Sequence, residues 1–183
     1  MPNWCENKLL IFGDGKDALD DFNRIEKLLD ETLKYNSESG YVENLLDAII
    51  CMPDALKDTT QEKPYKLPSG DTVWWYQWCW DNWGTKWDVV DCIMKLDSKT
   101  CPTSDTMRVG FLTAWAPPIP WLEKVGAIFP NLWLKLDYDE PGMMFRGTAC
   151  GRGFIIDEYE EYEDELDGTL CRNGYPIDEC KCC

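Results

Sequence analysis

Histidine is absent from this 183-residue chain. Its absence removes the commonest general base, the Ser–His and Cys–His nucleophile pairs and every histidine-based metal motif. Basic residues are scarce: 18 Lys and Arg against 34 Asp and Glu leave a net charge of −16 at pH 7. Such a surface repels nucleic-acid phosphates rather than gathering them. No apolar run approaches the roughly 18 residues that a membrane span needs. Residues 1–6 lack the basic stretch and apolar run of a secretory signal, so a soluble, cytoplasmic protein is expected.

What is present is a core. With 44% hydrophobic residues and ten tryptophans, the chain has enough apolar surface to fold as one domain, or one domain with an extension. Of ten cysteines, Cys5, Cys51, Cys79, Cys92, Cys101 and Cys150 are scattered through apolar segments, where a thiol serves as a small buried hydrophobe. The other four, Cys171, Cys180, Cys182 and Cys183, crowd the C-terminus. Their spacing lacks the paired knuckles of zinc sites and the bacterial iron–sulfur pattern, and the readings are metal binding, disulfide or reactive-tail behaviour, and, foremost, incidental thiols.

Residues 7–12 form a short apolar strand closed by Gly13-Asp14-Gly15. Asp14 and Asp17 resemble a capping box for a helix over 16–35, whose Ala18, Phe22, Ile25, Leu29 and Leu33 make one apolar stripe. Residues 41–70 read as an irregular insertion with a short helix over 41–50. Residues 71–88 hold six of the ten tryptophans. A helix is favoured there, capped by Asp71 and stopped by Gly84. Strands follow at 89–96 and 106–115 with a loop over 97–102. A proline-opened helix then buries Trp121, Leu122, Val125, Ile128 and Phe129. Alternating Leu132, Leu134 and Leu136 give another strand, and 143–149 pairs back as a hairpin. Residues 151–156 add an edge strand. Arg146 and Arg152, among Gly147, Gly151 and Gly153, read as a turn. The order β-α-insertion-β-β-α-β with extra strands is an α+β split arrangement: an antiparallel sheet with helices on one face.

Two motifs carry a resemblance. Pro2-Asn3-Trp4-Cys5-Glu6-Asn7 and Asn82-Trp83-Gly84-Thr85-Lys86-Trp87-Asp88 resemble the YubB ferredoxin-like domain family of phages and plasmids. Thr113-Ala114-Trp115-Ala116-Pro117-Pro118, Phe129-Pro130 and Tyr138-Asp139-Glu140-Pro141-Gly142 fit it in order. The resemblance spans about residues 2–149. It implies the ferredoxin-like topology and a mobile-element origin, without a settled activity. The division expected is a domain over 1–156, with its Trp-rich helical insertion at about 40–88, and an acidic, cysteine-rich extension over 157–183.

Two constellations invite a function. Asn82, Thr85, Lys86 and Asp88 with the indoles of Trp78, Trp83 and Trp87 could line a pocket, Lys86 for an anion and Asp88 as acceptor or base. The structural alternative makes Asn82 and Gly84 a helix end, with Lys86 and Asp88 paired on the surface. The second is acidic. Asp157, Glu158, Glu160, Glu161, Glu163, Asp164, Glu165 and Asp167 are eight carboxylates within eleven residues. The last 27 residues carry −8, half of the total. A solvated tail is one reading. A helix presenting Tyr159, Tyr162 and Leu166 is the other, its carboxylates standing in for phosphates before a basic surface.

The expectation is a non-enzymatic accessory protein of a phage or plasmid that binds a host protein. Its specific form is a counter-defence, anti-CRISPR-like inhibitor whose acidic residues 157–165, Tyr159 and Tyr162 included, mimic nucleic acid before a nucleic-acid-binding defence complex. No cofactor, metal, membrane or direct nucleic acid is expected, although a local basic patch is compatible with the net charge. The rival is a small-ligand or enzymatic module built on 82–88.

Overall fold

β1 (Trp4–Asp14) buries every second residue, Cys5, Asn7, Leu9 and Ile11, while Glu6 and Lys8 are exposed. That period of two places one face of the strand against a core and leaves the other open. The computed structural model describes residues 3–38, 40–101, 104–153 and 155–162. α1 (Lys16–Thr32) follows, burying Ala18, Phe22, Ile25 and Leu29. Its N-cap is Gly15 and no side chain caps it, so the Asp14–Asp17 capping box does not form. Gly15 has a φ of 85°, and the helix ends three residues before Tyr35.

The insertion is built from α2 (Leu45–Ile49), α3 (Asp54–Lys57), a small hairpin of β2 (Tyr65–Lys66) and β3 (Thr72–Val73), and α4 (Trp75–Trp83). Gly84 stops α4 as expected, in the left-handed region at φ 76°. A Cβ there would lie 2.4 Å from Pro120 Cδ, so backbone geometry and close packing both require glycine. Asp71 does not cap the helix. Its carbonyl accepts from the Leu67 N–H at 2.8 Å and its carboxylate from the Ser69 hydroxyl at 2.8 Å, both within the β2–β3 turn.

β4 (Val90–Cys101) and β5 (Ser104–Ala114) then form a hairpin whose first strand runs through most of the expected loop. α5 (Ile119–Ile128) begins with proline in its first turn. Trp121, Leu122, Val125 and Phe129 are buried, but Ile128 is 40% exposed and lies off the stripe. β6 (Trp133–Glu140), β7 (Phe145–Arg152) and β8 (Ile155–Tyr162) complete the chain's described part. Arg146 and Arg152 therefore lie in a strand, not a turn.

The main sheet has six strands in the order β4-β5-β1-β6-β7-β8, every neighbouring pair antiparallel. Its first four strands with α1 and α5 are the expected split βαββαβ arrangement. Phe22, Ile25 and Leu29 of α1 and Trp121, Leu122 and Val125 of α5 pack with Leu9, Ile11, Val109, Leu134 and Leu136 on one face. Each such side chain contributes about 1.5–3 kcal/mol through burial. Buried Asp21 locks the layers: it pairs with Arg24 and accepts from the Asn131 backbone N–H at 3.1 Å, just before β6. The sheet does not stop at Ile156. β8 pairs with β7 from Ile155–Arg152 to Tyr162–Phe145, so 157–162 is strand and not helix.

Candidate functional site

The 82–88 segment connects the insertion to the sheet. Asn82 donates back to the Trp78 carbonyl at 2.8 Å and accepts from Lys124 Nζ. Trp83 is buried, donates through Nε1 to the Ile50 carbonyl at 2.9 Å, and meets Trp78 edge-on at 5.3 Å between ring centres. Thr85, fully buried, donates to the Ala114 carbonyl of β5 at 3.1 Å. Asp88 accepts three backbone N–H bonds, from Leu46 and Asp47 at 2.9 Å and Val89 at 2.8 Å, and so holds the start of α2. Burial nevertheless pushes its carboxyl up to about 6.

Lys86 has a different environment. Its ammonium lies 4.7, 5.3 and 5.8 Å from the ring centres of Trp87, Trp115 and Tyr76. Three ring faces give it a cation–π seat instead of an ion pair. Lys86 and Asp88 are thus not partners. Their contacts run to different places: Asn82 to Trp78 and Lys124, Trp83 to Ile50, Thr85 to the end of β5, Asp88 to α2, and Lys86 and Trp87 to the ring of Trp115.

A second polar cluster uses the other resembling segments. Buried Asn7 donates to Thr113 Oγ1 at 2.8 Å and to the Cys5 carbonyl at 2.9 Å, and Thr113 donates onward to the Ala116 carbonyl at 2.7 Å. The Trp115 N–H reaches the Asn3 carbonyl at 2.9 Å, with Trp115 itself at φ 66°. Fully buried Glu140 accepts from the backbone of Gly142 and Met143. These contacts satisfy polar groups where three strands end, and leaving any of them unpaired would be costly. The Cys5 thiol is pushed up to about 12 by burial, which leaves it a packing group rather than a nucleophile. Cys79 and Cys92 share that condition, whereas Cys51 is exposed, against expectation.

Residues 157–162 occupy β8, the sheet edge opposite β4. By register Asp157, Tyr159 and Glu161 stand opposite Cys150, Thr148 and Arg146, while Glu158 and Glu160 stand opposite Ala149 and Gly147. Carboxylate residues therefore occupy both faces of the strand. Glu163, Asp164, Glu165 and the four terminal cysteines lie outside the described residues. Among the described residues, no group of three or more His, Cys, Asp or Glu is placed to hold a metal ion, and no helix is long and apolar enough to cross a membrane.

Sequence reasoning missed the open face of the sheet. A groove of about 470 Å³ lies there, lined by Lys8, Leu10, Ile93, Arg108, Gly110, Lys135 and Asp137, with Leu9 and Val109. Arg108 and Lys135 stand opposite Leu10 on its two sides, and Lys8 stands between Gly110 and Asp137. These residues come from four strands, in i,i+2 pairs on β1, β5 and β6 that mark a common face but not a common site. Gly110, the one glycine inside β5, two residues from Arg108, was the available signal.

Residues 82–169 match a family described as "Ferredoxin-like domain in Api92-like protein". That match, too, continues past Ile156. The crystal structure of a protein api92 from Yersinia pseudotuberculosis is similar over 88% of this chain and 98% of that one, with a TM-score of 0.56 and 12% sequence identity. No curated protein matches the chain. With the strand order and helix placement above, the fold is ferredoxin-like, and over residues 82–169 the chain is similar to the domain of Api92-like proteins.

Proposed function

We propose that this chain is a non-enzymatic binding protein that engages a basic surface of a host protein through its acidic sheet edge. The observation that carries this reading is β8: within its eight residues stand Asp157, Glu158, Glu160 and Glu161, at the outside of the sheet. β8 carries carboxylate residues on both of its faces, and carboxylates so arrayed compete with phosphates for Lys and Arg. In the specific form of the proposal the partner is a nucleic-acid-binding defence complex, and the chain is a counter-defence accessory protein of a phage or plasmid. The net charge of −16 and the YubB-family resemblance of 2–7 and 82–88 support that form. The rival module on 82–88 would have to use side chains that already hold the fold together.

The test uses the full chain and the quadruple variant Asp157→Asn, Glu158→Gln, Glu160→Gln, Glu161→Gln, each offered to host extract and then to the captured partner at increasing salt. The expected result is loss of capture with an unchanged melting curve. The wild-type association rate should fall at least tenfold between about 0.05 and 0.5 M salt, with duplex DNA displacing the chain from its partner. If the variant aggregates yet still captures the partner, the carboxylates serve only to keep an exposed strand edge from self-pairing. That outcome would sink the proposal.

A further inference from the structure

The open face of the sheet has a chemistry opposite to that of the chain as a whole. Lys8, Arg108 and Lys135 line the groove, and among the described residues Asp137 is the one acid lining it, 3.0 Å from Lys135 and accepting from Thr148 at 2.7 Å. Lys8 makes no ion pair with a described residue. The floor is apolar: Leu10, and Ile93 at 50% exposure. Ile93 reaches this face through an irregularity in β4, where two residues, Asp91 and Cys92, oppose Phe111 alone, and Asp91 takes φ 51°. Bulges of this kind redirect a side chain towards a site.

Gly110 gives the second observation. It sits inside β5, flanked by β4 and β1, without a positive φ, and nothing lies within 4 Å of where a Cβ would be. Glycine in a strand interior costs about 0.5–1 kcal/mol relative to alanine, and no turn or contact requires it here. What it leaves is room for something to approach the backbone closely. One row beyond the Arg108–Leu10–Lys135 row, and two rows from Gly110, Trp133 is 50% exposed, opposite Phe12 on one side and Arg152 on the other. An apolar notch, three cations and an exposed indole are the parts with which proteins hold unpaired bases and their phosphates.

We infer that this face binds a short single-stranded nucleic acid, with phosphates on Lys8, Arg108 and Lys135, one base in the Gly110 notch and a base further along the same strand on Trp133. An acidic peptide would satisfy the cations but leave the indole and the notch without a planar partner. The chain's net negative charge does not forbid this binding. β8 lies three strand spacings from β1, about 14 Å, and exposed charges that far apart are largely screened at a physiological Debye length of about 8 Å. The inference stands independently of the partner-binding role of β8.

The experiment titrates the full chain into a fluorescein-labelled eight-nucleotide oligothymidine and follows anisotropy at about 50 mM salt. Saturable binding is expected, with a log–log salt slope no steeper than about −2, as three single-strand phosphate contacts allow. Lys8→Gln with Arg108→Gln should weaken it at least tenfold. Gly110→Val should do the same while leaving melting unchanged or raised, because a β-branched residue suits a strand and fills only the notch. Absence of saturable binding, equal displacement by a glutamate octapeptide, or full affinity in the Gly110→Val chain would each overturn the inference.

Discussion

The two faces of the one sheet differ in what their polar residues do. On the covered face Asn7, Thr113 and Glu140 are at most 2% exposed and hydrogen-bonded to strand ends and turns. On the open face Lys8, Arg108 and Lys135 are exposed around a groove. The recognisable motifs belong mostly to the covered face and its edges. Asn, Thr, Trp and Gly at set positions are what a buried corner demands, because a buried donor or acceptor tolerates few substitutes. A groove can be assembled from residues whose only local pattern is the period-two face of each strand.

The comparison breaks most visibly at the corner. Replacing Asn7 with Ala should lower stability by about 2–3 kcal/mol, since it orphans the buried Thr113 hydroxyl interaction and leaves a void. Denaturant unfolding measures this, and a loss below about 0.5 kcal/mol would mean the corner is not a structural device. An intermediate effect is expected at Asp88. Its folded-state carboxyl, raised to about 6 from 3.8, keeps a proton that the unfolded chain has already released. Stability therefore falls as pH rises from about 4 to about 6 and levels off above, by roughly 1–3 kcal/mol in this group's contribution. Thermal melts of the wild type and Asp88→Asn across that window should differ in slope, the variant lacking this contribution. The smallest effect belongs to the open face: Lys8→Gln and Arg108→Gln should each shift stability by no more than about 0.5 kcal/mol. A larger loss would show that these cations hold the sheet together and would narrow the contrast between the faces.

The fold was legible because its central strands are simple. Residues 106–115 and 132–138 alternate cleanly, and Gly84 and Pro120 mark helix ends through their own backbone chemistry. Three features were hidden by competition between local and distant partners. Asp71 suits a helix cap, but Ser69 and Leu67 are nearer and form a turn with it. Tyr159, Tyr162 and Leu166 have helical spacing, yet the eight-residue ladder with β7 governs 155–162. Lys86 and Asp88 are close in sequence, but one is seated against rings and the other takes backbone N–H groups of α2. The open groove was hidden for another reason: Lys8, Ile93, Arg108 and Lys135 are neighbours only once four strands have met.

β1, which precedes the other described strands in the chain, stands between β5 and β6 and pairs with both. Its Leu9 meets Val109 on one side and Leu136 on the other, and the ladder to β5 opens at Asp14 opposite Ser104, so neither hydrogen-bonded flank exists until about ninety further residues have been synthesised. Closing loops that long is slow, and an apolar strand waiting for its partners is exposed meanwhile to aggregation. Nascent-chain maturation should therefore be late and nearly all at once, with truncations before β6 captured by chaperones rather than partly folded.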